Sequence, residues 1–208
     1  MENNNIHPTA IVNHDAIIGR NVTIGAYSVI HEGVKIGDNV YIGEHCNIGS
    51  PAEFRTLYPE NFKGVVIGDG TRLTGHVTID DGIYQPTYIG LDCFLMKHSH
   101  VGHDAHVSDG VTLSCGVKIG GHTIIMKKAN IGLNAVIHQK TVIGSYCMIG
   151  MGAVVPRKLC IHPFSKWAGN PARHLGENEH PDIKELGIVE SIHEHNNFIS
   201  LFEESRKW

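Results

Sequence analysis

Residues 97 to 106 read KHSHVGHDAH, which places four histidines, His98, His100, His103 and His106, within ten positions. Imidazole titrates near neutrality and carries two ring nitrogens, so a cluster of this kind can ligate a metal or supply a general base with its supporters. The chain holds sixteen histidines in 208 residues, which leaves a chance cluster open as a third reading. Two further segments rich in the same chemistry follow, Gly120-Gly121-His122 and Val136-Ile137-His138-Gln139. The elements that position these side chains decide among the three readings.

Those elements are announced by a period of six. Aliphatic residues stand at Ile6, Val12, Ile18, Ile24, Ile30, Ile36, Ile42 and Ile48 without a miss, many of them followed by Gly. The period resumes at Ile67, Leu73 and Ile79, and then runs from Ile89 through Leu95, Val101, Val107, Leu113, Ile119, Ile125, Ile131, Ile137, Ile143 and Ile149 to Val155. Such a repeat implies an all-β solenoid, a parallel β-helix in which each short strand sends one aliphatic residue inward and three strands complete a coil. The expected prism covers residues 1–175, with loops bulging out near 50–65 and 80–88 where the phase slips. From Pro181 onward, apolar residues recur at helical spacing, so residues 176–208 are expected to form a short C-terminal α-helical tail docked on the prism.

With 18 residues to a coil, positions 18 apart stack at the ordinary interstrand spacing of about 4.8 Å. His103, Gly121 and Gln139 then share one column, Asp104 and His122 the next, and His138 stands beside Gln139. Because the aliphatic ladder fills the interior, these polar groups must point outward. A flat outer face makes no pocket, so a neighbouring subunit is expected to complete one. Adjacent strand residues face opposite ways, so Asp104 can touch His103 only where the chain turns.

Composition narrows the function classes. A formal net charge of -4 with scattered lysines and arginines gives no footprint for nucleic acid. The N-terminus lacks a basic segment followed by an apolar one, and no window approaches a membrane span, so a cytoplasmic protein is expected. Five cysteines, Cys46, Cys93, Cys115, Cys147 and Cys160, form no CxxC pair and read as reduced core fillers.

Taken with the hexapeptide period, the motifs HVGHD (100–104), GGH (120–122) and VIHQ (136–139), and the N-terminal HPTAIV, resemble the acyl-carrier-protein-dependent UDP-N-acetylglucosamine O-acyltransferases over roughly residues 7 to 175. The resemblance implies a trimeric left-handed β-helix that moves an acyl group from an acyl-carrier-protein thioester to a UDP-GlcNAc-like sugar in lipid A biosynthesis, with no bound cofactor. It implies His103 as general base, Asp104 as its orienting partner, the Gly121 N–H as oxyanion donor, and His100, His122, His138 and Gln139 as pocket wall. Met151 would lie at the distal end of the acyl groove. Arg55 or Lys63 would be the basic residue of a substrate-contacting loop. The sequence GNPAR, Gly169 to Arg173, looks more like acetyl-CoA-using sugar acetyltransferases, which adds Asn170 and Arg173 to the expected substrate-binding residues and keeps coenzyme A beside acyl carrier protein as donor. An acidic carrier protein would need a basic patch, for which Arg157, Lys158, Lys166 and Arg173 are candidates. Two other readings carry less. His98-x4-His103 resembles half of a γ-class carbonic anhydrase zinc site but lacks a match to the remaining ligands, so no metal is expected, and a non-catalytic β-helix scaffold would have no reason to stack the polar column.

Overall fold

The computed structural model describes residues 3–53, 62–157 and 159–205. The chain forms a left-handed parallel β-helix followed by two helices. Three sheets form the prism faces, two of eight strands and one of ten. Most strands are only two residues long, the first facing out and the second in, as in exposed Lys118 beside buried Ile119. Along the uninterrupted coils, partners lie 18 residues apart, as in His100↔Lys118 and Lys118↔Val136. Ile24, Ile42, Leu73, Leu95, Leu113 and Ile131 stack inside one face, each no more than 1% exposed. Full burial of one such side chain stabilises the fold by about 1.5–3 kcal/mol, and the repeat multiplies that gain coil by coil.

The two phase slips fall where strands part. Strand Asn47–Ser50 pairs with Thr78–Asp80 across the first inserted segment, and the pairing carries a bulge between Ile79 and Asp80. The second insertion separates Thr78–Asp80 from Thr87–Ile89. At the corners the chain turns through left-handed conformations at residues such as His45, His76, His98, Asp104 and His122, with φ between 51 and 62°.

After the prism, strand Arg173–Glu177 pairs antiparallel with Ser165–Ala168. Helix α1 spans Pro181–Glu185 and α2 spans Ile188–Ser205. Helix α2 docks through Phe198, 2% exposed, which packs with Ile124, Met126 and Val142. Buried Glu194 of α2 accepts a hydrogen bond from Ser145 and pairs with Lys127 at 2.7 Å. Among the described residues no helix is long and apolar enough to cross a membrane.

Candidate active site

The prism sorts the four clustered histidines into different environments. His98 lies in one corner, stacked on His76 with ring centroids 4.8 Å apart, and His106 lies on another face, stacked on Tyr88 at 4.7 Å. His100 faces outward from strand His100–Val101, where its Nδ1 meets the Thr78 hydroxyl at 2.8 Å and its Nε2 lies 3.7 Å from Asp80. Burial, followed by the charge of Lys118, lowers the His100 pKa against the opposing pull of Glu53. His103 occupies the next corner together with Asp104, and only there is a histidine matched to a fully buried carboxylate.

His103 and Asp104 form the turn that the contact between neighbours requires. The left-handed backbone at Asp104, φ 58°, swings its side chain back toward His103, and His103 Nδ1 lies 2.6 Å from Asp104 Oδ2. With Asp104 ionised, Nδ1 must donate, which makes Nε2 the basic nitrogen. The other carboxylate oxygen, Oδ1, accepts the backbone N–H groups of Ile83, Tyr84 and Gln85 at 3.1, 2.7 and 2.9 Å. The Asp104 side chain has no exposed surface. Burial pushes its carboxyl up, but the hydrogen bonds from His103, Gln85 and Tyr84, with the charge of His122, outweigh burial and hold it below the usual carboxylate value. The Asp104 N–H is bound in turn by the Thr87 hydroxyl at 2.9 Å.

One coil on, Gly121 lies under the His103 ring, and a Cβ there would stand 2.7 Å from Nε2. Only a glycine leaves the imidazole its place. In the corner that begins at Arg20, the turn N–H is taken up by an aspartate of the following coil, Arg20 by Asp38, Asp38 by Asp69 and Leu91 by Asp109. At Gly121 the residue of the following coil is Gln139, and among the described residues the Gly121 N–H has no acceptor. His122 meets the His103 ring edge-on at 5.0 Å. Burial lowers the His122 pKa, Asp104 opposes this, and the charges of His103 and Lys140 lower it further.

The outer face is not flat here. The inserted loop at 83–85, tied to Asp104, raises one wall of a groove of about 480 Å³ lined by Tyr84, Gln85, His103, His122, Gln139, Lys140 and Arg157. The expectation that a lone prism has no pocket is corrected by this loop, which the six-residue period marks as an insertion without giving its path. The structure thus brings together His103, Asp104, Gly121, His122 and Gln139. His138 is exposed beside Gln139, outside the groove lining. Met151 is 74% exposed in a turn of a different corner, and Asn170 and Arg173 are exposed at the end of the prism, so none of the three lines this groove. Arg55 and Lys158 lie outside the described residues, and Lys63 is exposed. Tyr84, Gln85 and Lys140 were not among the sequence candidates. The phase slip at 80–88 is the signal that pointed toward the first two, whereas Lys140 is distinguished only by following Gln139 in the stacked column.

His103, Asp104 and His122 also present donor atoms within 4.8 Å of one another. A cation among them would have to displace the His103–Asp104 hydrogen bond, and the second Asp104 oxygen is saturated by three N–H groups. The donor set fits an oriented base better than a metal centre.

The residues 1–32 and 17–50 match the model of the bacterial transferase hexapeptide (six repeats), and 40–80 and 122–157 that of the hexapeptide repeat of succinyl-transferase. The chain is 32% identical over 196 residues to an acyl-[acyl-carrier-protein]–UDP-N-acetylglucosamine O-acyltransferase of Aliarcobacter butzleri, covering 84% of this chain and 74% of that protein. Its counterpart in Campylobacter concisus is 29% identical over 171 residues, which cover 81% of this chain; the chain spans 64% of that relative's length. Among solved structures, LpxA from Acinetobacter baumannii superposes with a TM-score of 0.74 at 27% identity, over 89% of this chain and 77% of that one. A sequence-wide identity of this size, on a shared hexapeptide solenoid, means that the chain belongs to the acyl-[acyl-carrier-protein]–UDP-N-acetylglucosamine O-acyltransferase family.

Proposed function

We propose that the protein transfers an acyl group from an acyl-carrier-protein thioester to a hydroxyl of UDP-N-acetylglucosamine or a closely similar nucleotide sugar, with His103 as general base. The observation that carries this reading is the His103 ring, fixed at Nδ1 by a buried carboxylate and laid over Gly121 at the wall of an open groove. In this mechanism Nε2 removes the proton of the attacking hydroxyl as its oxygen bonds to the thioester carbon. The Gly121 N–H donates to the developing oxyanion, and Asp104 stabilises the imidazolium that forms. Collapse of the tetrahedral intermediate expels the thiolate, which takes the proton from His103. No covalent acyl-enzyme is required.

Family membership supports acyl carrier protein as donor, and the half-buried Lys166 and the exposed Arg173 supply cations for it. The trimer and a cytoplasmic location belong to the same proposal, with a neighbouring subunit enclosing the open side of the groove. The test is turnover of UDP-GlcNAc with acyl carrier proteins bearing defined chains, with acetyl-CoA as a parallel arm and products read by mass spectrometry. Acylated UDP-GlcNAc from the carrier-protein arm is expected, and His103→Ala should lower kcat at least ~100-fold while leaving the oligomer intact. Product from acetyl-CoA alone, or activity near wild type in His103→Ala, would refute the corresponding part.

A further inference from the structure

The loop at 83–85 holds Asp104 and Asp104 holds the loop, so a further contact must fix the pair to the prism. The chain reaches this loop through Asp81 and Gly82, directly after strand Thr78–Asp80. Asp81 is 3% exposed, and its carboxylate has no part in the proton transfer described above. It borders a second cavity, of about 460 Å³, with His31, Glu32, Phe62 and Gly64 among the residues around it.

The two insertions meet at Asp81. Its Oδ1 accepts the Gly64 N–H at 2.6 Å, and its own N–H donates to the Ser50 carbonyl at 2.8 Å. The Gly64 carbonyl accepts from Gly82 and Thr87 at 3.4 and 3.1 Å, and the Lys63 N–H donates to the Gly82 carbonyl at 3.0 Å. Of these bonds, only that from Gly64 to Asp81 involves a side chain. Gly64 has left-handed backbone at φ 83° and lies so close to the preceding coil that a Cβ would stand 2.3 Å from the Gly33 carbonyl oxygen. The anchor is therefore rigid. Beyond Asp81 the chain is equally tight, since a Cβ at Gly82 would fall 1.8 Å from the Gln85 carbonyl oxygen. A shift at Asp81 is thus passed on to the N–H groups of Ile83, Tyr84 and Gln85 rather than absorbed. Burial pushes the Asp81 carboxyl up to about 6, the N–H groups of Gly64 and Gly82 and the charge of His31 oppose this, and the charge of Asp104 adds to the rise. An ionised oxygen forms a stronger bond to the Gly64 N–H than a neutral acceptor does.

Resting on the assignment of His103 as general base, we propose that Asp81 is a positioning residue for the reaction. By tying Gly64 to the base of the 83–85 loop it keeps the three N–H groups on Asp104, and through Asp104 it holds the His103 ring with Nδ1 as donor and Nε2 as base. The first insertion thereby supports a catalytic corner that it does not touch through any side chain of its own.

NMR of the histidine ring N–H groups reads His103 Nδ1–H without any substrate, and steady-state kinetics with UDP-GlcNAc and acyl carrier protein read the consequence. In Asp81→Ala the Nδ1–H resonance is expected to be lost to solvent exchange, kcat to fall at least ~10-fold, and KM for both substrates to stay within about twofold. Asp81→Asn keeps an oxygen that accepts the Gly64 N–H, so it should retain the resonance and most of kcat. Asp81→Ser, whose hydroxyl falls one bond short of Gly64, is the milder break should Asp81→Ala not fold, and it should behave as Asp81→Ala does in both readouts. Wild-type kcat in a folded Asp81→Ala or Asp81→Ser protein overturns the proposal. A loss of kcat with the His103 resonance intact also overturns it and makes Asp81 a general stabiliser. Impairment of Asp81→Asn as deep as that of Asp81→Ala does the same, because charge and not the tether would then be the cause. If the resonance depends on the tether but no acyl donor supports turnover, the positioning of His103 stands and the acyl-transfer reading falls.

Discussion

Two adjacent corners of the same prism are built from the same residue type and behave differently. In one, Tyr27, His45, His76 and His98 stack as a ladder, with ring centroids 5.2, 4.9 and 4.8 Å apart. In the other, one hexapeptide later, Asp104 and His122 hold the corresponding left-handed positions. The ladder rings are exposed and touch mainly one another. The second corner differs by three features: a buried carboxylate, a glycine under the ring, and an inserted loop whose N–H groups close on that carboxylate. Histidine density therefore says little about chemistry, whereas a carboxylate without solvent beside one imidazole says a great deal.

The sharpest way to break the contrast is to fill the space under His103. Gly121 is not in the left-handed region, so Gly121→Ala meets no backbone penalty, but its Cβ would collide with the His103 ring 2.7 Å from Nε2. The expected result is a kcat loss of ~100-fold or more with a melting temperature close to wild type. Activity within a few fold would show that the ring position is not critical.

Asp104→Asn tests the carboxylate. The amide cannot hold the His103 Nδ1–H as an ionised oxygen does, so the basic nitrogen is no longer fixed at Nε2. A kcat loss of ~10²-fold is expected, together with a stability loss of about 1–3 kcal/mol from the disturbed buried network. Denaturant unfolding and steady-state rates measure the two separately, and a variant that loses stability alone would reduce Asp104 to a clamp for the loop at 83–85.

Much of this was legible in the sequence because the solenoid is nearly one-dimensional. A strict period of six fixes which residue faces in and, through the 18-residue coil, that His103, Gly121 and Gln139 align. It also located both insertions. What it could not give is the course of an insertion, because a loop outside the repeat follows its own hydrogen bonds. The three N–H groups converging on Asp104 come from such a segment, and with them the groove wall at Tyr84. Met151, Asn170 and Arg173 came from resemblance alone, and in the single chain they lie away from the groove.

The bulge at Asp80 sets a further contrast with Asp104. Both are buried carboxylates near His103, yet burial, reinforced by Glu53 and opposed by His103, pushes Asp80 up to about 6, whereas Asp104 is held down by hydrogen bonds. A folded pKa above the unfolded value means that stability is fully present below about pH 4 and is lost as pH rises through about 6. Asp80→Asn removes the ionisation, so it should stabilise the protein by about 1–2 kcal/mol at pH 8 and by nothing comparable at pH 4. Thermal unfolding at the two pH values checks the sign, and an equal shift at both would remove ionisation as the cause.

In the ladder corner, His76→Ala should change stability by no more than about 0.5 kcal/mol, because the ring is exposed and loses only stacking contacts. Turnover is expected to stay within about twofold of wild type. A large kinetic effect would make the ladder part of the site and dissolve the distinction between the two corners.

The smallest expected effect concerns how the cationic end of the groove speaks to the imidazoles. His122 is held below its ordinary pKa first by burial, with Asp104 opposing and the charges of His103 and Lys140 adding to the depression. Lys140→Gln deletes one of the two like charges and leaves burial and Asp104 in place, so the His122 pKa should rise without reversing the overall direction. NMR titration of the His122 ring protons reads this directly. Because a folded pKa below the unfolded one favours the neutral ring, the variant should also lose slightly less stability on acidification through the His122 titration. An unmoved His122 would mean that solvent screens Lys140 from the imidazole pair, and the groove would then hold two electrostatically separate ends.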